Sequence, residues 1–265
     1  MEQIKEKRRW QLMDRDRAIL RQIGEHGFSS AQWIREQFWD GKVNCIYYRR
    51  LSILRKMGLI EHLVGDSGKR LGYRLTKKGL NLLRSFGCES AEPSEYRASY
   101  RTTFNHDNYL VGLAAVFRQF SGIVEYWPEH QVRQRLALSH GYKERKRDGY
   151  KVPDALFTVQ TKQRRLRVAL ELEIAPKAKA YYRRILRQLS KSNDFDMVFL
   201  VVADANTLER LVAELAWVRA NDPIVKFAKR DNGFYFALLS DVLTNKGHAS
   251  FRGEGAAFTL AQLAA

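Results

Sequence analysis

The sequence predicts a two-domain α+β protein: a small helical unit closed by a β-hairpin, then a mixed α/β domain on a mixed central sheet. Three observations predict it. Residues 1–87 carry three short stretches of helical apolar periodicity and then two short strands around a glycine-containing tip. Residues 101–265 alternate strand-like runs with amphipathic helices and include the fully apolar run Met197–Val202, of buried-strand length. Between them, residues 88–100 are small, polar and locally acidic around Pro93, and read as a linker.

The first helix starts at Asp14, with Ala18, Ile19 and Ile23 on one side and Gly24 and Gly27 at its end. Ser29 or Ser30 is an N-cap for a second helix, Ala31 to Phe38, anchored by Trp33, Ile34 and Phe38. Asn44 caps a third, from about Cys45 to Met57, with Leu51 and Leu54 at core spacing and Gly58 as its stop. Leu59–Val64 and Leu71–Leu75 then form a hairpin whose tip holds Lys69 and Arg70, and Lys77 to Phe86 closes the unit. Three helices followed by a basic-tipped hairpin is the order of a winged helix-turn-helix, whose third helix lies in the DNA major groove. Asn44, Tyr48 and Arg49 fall away from the Leu51/Leu54 face and are the expected base contacts. Tyr47 and Arg50 are further candidates, either of which the packing seam can claim; Lys69 and Arg70 suit phosphate.

The second domain opens with a helix from His106 and Asp107 through Phe120, with Leu110, Leu113, Ala114 and Phe117 as its buried stripe. Ile123–Trp127 is a strand that Val132–Leu138 continues, and a charged loop, 141–151, precedes the strand Val152–Val159. Leu166–Ile174 is the next strand, then a helix from Lys177 to Leu189, the strand Met197–Val202 and a helix Thr207–Arg219. Phe227 and Phe234–Leu239 finish the sheet. The expected topology is a helix, an antiparallel meander of three strands, a crossover helix and a parallel strand.

Charge narrows the function. The formal net charge is +17, spread over both halves, so a polyanionic partner is expected. In the densest stretches arginine outweighs lysine, and its planar fork suits phosphate. No apolar run is long enough to span a membrane and the N-terminus lacks a signal peptide's hydrophobic stretch, so the chain is expected to stay in the cytoplasm. Cys45 and Cys88 are isolated and argue against a zinc site or a disulfide framework.

Two adjacent strands carry the chemistry. Asp154 sits in PDALF at the start of one; Glu171 and Glu173 sit in ALELE at the end of the next and share a face by period-two alternation. Pairing of these strands brings Asp154 near Glu171. Clustered carboxylates repel unless a cation or a proton resolves the conflict, and oxygen-only ligands favour Mg2+ or Mn2+. Residues 131–190 nevertheless carry a net charge of +11. A metal-binding acidic pair in a cationic field is what phosphodiester cleavage requires. Lys177 is within reach to steady the nucleophile or the leaving oxygen. Arg183 and Arg184, on the next helix with Tyr181 and Tyr182, suit a backbone-tracking surface as well as a solvated face. The competing structural reading pairs Glu171 and Glu173 with Arg164, Arg165 or Arg167 across the sheet.

PD, sixteen residues, ExE and then Lys177 on a helix resembles the PD-(D/E)xK restriction-endonuclease-like core. Joined to a winged helix, PDALF and ALELEIAPKAKAYYRR are similar to the replication-relaxation family, which includes MobC-type relaxases of mobilisable plasmids and integrative elements. The resemblance implies Asp154 and Glu171 as metal ligands, with Glu173, Lys177 and His106 as further catalytic candidates. Glu173 stands where that core usually carries its lysine. The function implied is a metal-dependent DNA nickase that binds duplex DNA near a transfer origin and cuts one strand, alongside other mobilisation proteins. No HxH pair is present, so hydrolysis by activated water fits better than a tyrosine nucleophile. The alternatives are a DNA-binding transcription or replication regulator with a degenerate nuclease fold, and a defence nuclease that cuts both strands as a homodimer.

Overall fold

The computed structural model describes residues 11–39, 44–88, 101–140, 151–226, 233–253 and 256–264. Its contacts divide the chain into two units, Met1–Val111 and Gly112–Ala265. The expected linker, 88–100, lies outside the described residues apart from Cys88, as do residues 141–150 of the charged loop and Phe227.

In the first unit, α1 (Asp14–His26), α2 (Ala31–Phe38) and α3 (Asn44–Lys56) precede the hairpin β1 (Ile60–Val64) and β2 (Arg70–Leu75), and α4 (Lys77–Ser85) follows. Each boundary has a local cause. The Met13 N–H donates to Asp16 Oδ2 at 2.7 Å and Gly27 takes the left-handed conformation (φ 77°), which defines both ends of α1. Ser30 Oγ accepts from Trp33 N, making Ser30 the cap of α2. Ile19, Leu20, Ile23, Ile34, Leu51 and Leu54 are fully buried together, the apolar stripes of three helices meeting. The hairpin is tied to this core by a pair of backbone bonds, Ser29 N to Tyr73 O at 3.0 Å and Tyr73 N to Ser29 O at 2.9 Å. Gly72 permits that approach: a Cβ there would sit 2.6 Å from Ser29 O.

α5 (Arg101–Phe117) leads into the second unit, a seven-stranded sheet in the order β3-β4-β5-β6-β7-β8-β9. β3 (Ile123–Pro128), β4 (Ala155–Gln160) and β5 (Arg165–Glu173) are antiparallel neighbours. β5, β6 (Met197–Val202) and β7 (Gly233–Leu238) run parallel, and β8 (Ser250–Gly253) and β9 (Ala256–Thr259) return to antiparallel pairing. α6 (Glu129–His140) follows β3; α7 (Lys179–Ser190) joins β5 to β6; α8 (Ala205–Asn221) and α9 (Pro223–Lys226) join β6 to β7; α10 (Leu239–Asn245) follows β7, and α11 (Leu260–Ala264) follows β9. Tyr182, Ile185, Leu186 and Leu189 of α7 and Leu211, Leu215 and Val218 of α8 bury one sheet face through Leu156, Ala169, Val198, Leu200, Phe234 and Phe236. On the opposite face, Phe117 of α5 stacks on Phe157 at 4.9 Å, and Phe199 on Phe251 at 4.3 Å.

Two expectations for this unit are corrected. Val132–Leu138 is not a strand but lies within α6: Val132 is buried while Arg133, Gln134 and Arg135 are exposed, and Arg133 Nε donates to Glu129 at 3.0 Å, a pair spaced for a helix turn. Nor does β7 finish the sheet, because β8 and β9 extend it. Each is four residues long, too short for alternation to separate it from a loop.

Candidate functional site

The register of β4 on β5 pairs Ala155 with Leu170 and Leu156 with Ala169, so the residue preceding Ala155 comes opposite Glu171. Asp154 is therefore held across from Glu171, and its Oδ2 accepts from the Leu172 N–H at 2.9 Å. Glu171 and Glu173 share with Ala169 the sheet face that α7 and α8 cover, which is why both acids are buried, Glu171 to 2 % exposure. Burying carboxylates in this way is costly unless cations or donors compensate.

Two lysines supply compensation and divide the cluster. Lys151 Nζ lies 2.9 Å from Glu171 Oε2 and 3.5 Å from Asp154 Oδ1, bridging the pair. Lys177 Nζ lies 2.8 Å from Glu173 Oε2 and donates to Tyr181 Oη at 3.3 Å, with its ammonium 4.6 Å from the Tyr181 ring centroid. The Lys177 N–H donates to Tyr182 Oη at 3.0 Å, which fixes the chain just ahead of α7. The cations beside these acids are thus lysines: among the described residues Arg164, Arg165 and Arg167, named as alternatives, are exposed, and the ion pairs of Glu171 and Glu173 are with Lys151 and Lys177. Lys151 was legible only as the end of a charged loop. Its place three residues before Asp154 was the signal.

The electrostatics follow from burial. Desolvation, with the Asp154 charge added, pushes the Glu171 carboxyl well above the ordinary range, against the pull of Lys151. Burial likewise raises Glu173, partly offset by Lys177. For Lys151, burial opposes the charged form, but Glu171 and Asp154 outweigh it and its pKa is raised. A carboxyl whose folded pKa lies above its unfolded one binds its proton more tightly when folded. This contribution to stability is therefore expected to be fully present below about pH 4.5, the ordinary glutamate value, and to be lost as pH climbs through the raised value. Thermal unfolding of wild type against Glu171→Gln checks this: the difference between the two should shrink on acidification, and a constant difference contradicts it.

The residues fit a hard divalent cation in one respect. Glu171 Oε1 is buried and finds no hydrogen-bond partner among the described residues, an acceptor position that protein donors leave unmet. Asp154 and Glu171 supply oxygen alone, the donor set of Mg2+ or Mn2+, and Mg2+ commonly uses one or two carboxylates with substrate phosphates and water. The ligand set would be that pair. Among the described residues, no group of three or more His, Cys, Asp or Glu side chains is arranged to hold a metal ion.

The other candidates are placed as follows. His106 Nδ1, on α5, lies 3.3 Å from Asp107 Oδ1. Arg183 Nε donates to Glu214 at 2.6 Å and its guanidinium lies 3.6 Å from the Trp217 ring centroid, while Arg184 is exposed beside Tyr181. On α3, Tyr48 and Arg49 are exposed, whereas Tyr47 is buried in the helical core and Arg50 turns inward to Asp16 and the Gln11 carbonyl. Of Asn44 the structure gives only its place as the first residue of α3. Lys69 and Arg70 are exposed at the hairpin tip, where Gly65 N donates to Lys69 O at 2.9 Å. Among the described residues no helix is long and apolar enough to cross a membrane.

Comparison of the chain with family models, with curated proteins and with solved structures finds no match in any of the three.

Proposed function

We propose that this protein is a metal-dependent DNA endonuclease of the nickase type, which holds duplex DNA through its first unit and cuts one strand with its second. On this reading the first unit is a winged helix-turn-helix and the second a PD-(D/E)xK core. The biological setting is the start of plasmid or mobile-element transfer near an origin, as the resemblance to the replication-relaxation family suggests. The observation that carries the proposal is the buried Asp154–Glu171 pair, opposed across two strands, with Glu171 Oε1 unmet by any described donor. That pair lies within the segment 131–190, whose sequence is strongly cationic.

Asp154 and Glu171 would hold the Mg2+ or Mn2+ ion. When bound, such an ion offsets charge on a phosphate and lowers the pKa of water. Asp154 is oriented for this by its bond from Leu172 N, which leaves Oδ1 facing Lys151. Lys177, fixed by Glu173 and Tyr181, is a second cation beside the cluster, suited to offset charge on a phosphate oxygen. Arg184 and the hairpin-tip Lys69 and Arg70 are exposed and suit backbone contact.

A second reading is favoured by a specific observation: each of the three acids already has a lysine partner, Lys151 for Asp154 and Glu171 and Lys177 for Glu173, as in a regulator that keeps a degenerate nuclease fold for DNA binding. Supercoiled plasmid carrying the cognate site, incubated with the full chain and Mg2+, discriminates the two. Conversion to open circles is expected. Inert plasmid under conditions where duplex binding is measured would leave the regulator.

A further inference from the structure

We infer that α3 reads a guanine and a thymine close beside it, the thymine through contact of Ile46 with its C5-methyl group. This rests on the proposal that the first unit binds duplex DNA. It adds the base content of the site and a specificity residue outside the set of polar candidates.

The core side of α3 is set by Tyr47, Leu51 and Leu54, all buried. At 100° per residue, Cys45, Arg49, Ser52 and Lys56 point the opposite way. Cys45 and Ser52 are small, so the helix axis can come close to a groove floor along that line. Arg49, between them, is exposed; its neighbour Arg50 turns back to Asp16. Ile46 flanks this line on the Arg49 side and is 50 % exposed, unlike the buried isoleucines 19, 23 and 34 of the same unit.

Charge selects the partner. With Arg50 turned back to Asp16, α3 exposes Arg49, Arg55 and Lys56 and has no acid among its thirteen residues, and Lys69 and Arg70 are exposed at the hairpin tip. A polyanion matches that surface, and an apolar protein partner alone does not. Within a duplex, thymine offers the major groove an apolar group, and guanine offers the paired acceptors that arginine bridges. Three residues of helix rise about 4.5 Å, against about 3.4 Å per base-pair step, so Ile46 and Arg49 address neighbouring or next-neighbouring pairs.

Selection of sites from a randomised duplex pool with the full chain, at fixed salt, gives the sequence to test. The enriched site is expected to contain guanine with thymine one or two steps away. Replacing that thymine with uracil, which removes only the methyl group, should weaken wild-type binding about fourfold, the worth of one buried methyl. Ile46→Ala should bind the thymine and uracil duplexes alike; the position is exposed and alanine is helix-favouring, so the fold is retained. Equal wild-type affinity for the two duplexes, or an undiminished uracil penalty in Ile46→Ala, overturns the inference and leaves duplex binding intact. A pool that enriches no sequence also overturns it, and if the chain fails to retain duplex at all, the duplex-binding reading falls with it.

Discussion

Asp154→Ala is expected to slow plasmid nicking in Mg2+ by about 100- to 1000-fold, the scale on which removal of one preorganised charge-stabilising group acts. The carboxylate sits one residue ahead of the first register pair of β4 and β5, Ala155 with Leu170, and so across from Glu171; its loss leaves one acid where the proposal needs two. Duplex affinity should not fall with it, because the groups expected to hold DNA lie elsewhere on the chain. A drop in binding that matches the drop in nicking would show that the change acts on the fold. The fold has reason to survive: removing Asp154 also removes one of the charges that raise the Glu171 carboxyl, while Lys151 retains Glu171 as its nearer partner at 2.9 Å.

Arg50→Met is expected to destabilise the first unit by about 3–5 kcal/mol, the cost of leaving one member of a buried ion pair without the other. Asp16 is fully buried, bonded by Arg50 through both Nε, at 2.6 Å, and the terminal nitrogen. It also accepts from the Met13 N–H, so it caps α1 and anchors α3 to it. The double variant Arg50→Met with Asp16→Leu should recover much of the loss, since no lone charge then remains buried. Denaturant unfolding followed by far-UV circular dichroism measures both. A change within about 0.5 kcal/mol for the single variant, the range of ordinary surface substitutions, would contradict the pairing.

These residues also show where sequence reading reaches its limit. Met197–Val202 declares itself as a buried strand because every position is apolar, and the alternation that aligns Glu171 with Glu173 is visible within three residues. Opposition of Asp154 to Glu171 follows once two adjacent strands are paired as a hairpin. The partner of Arg50 does not follow, because Asp16 is thirty-four residues away on another helix; burial of Tyr47 and Arg50 at the packing seam could be named only as an alternative. Lys151 was hidden for a different reason. Its charge looked like one more in a cationic loop, and its role depends on the depth at which two strand acids are buried. α6 was misread because Val132–Leu138 carries apolar residues at spacings that suit either period, and only the Glu129–Arg133 pair and the exposure of its arginines decide for helix.

Cleavage of this kind requires the Asp154–Glu171 pair to take a divalent cation, which calorimetric titration of the full chain with Mn2+ measures. One ion per chain is expected for wild type, with affinity reduced at least tenfold in both Asp154→Asn and Glu171→Gln, each of which removes a ligand charge while preserving shape. Absence of binding in wild type, or equal affinity in all three proteins, would rule out a metal site at this pair and leave two acids held by lysine alone.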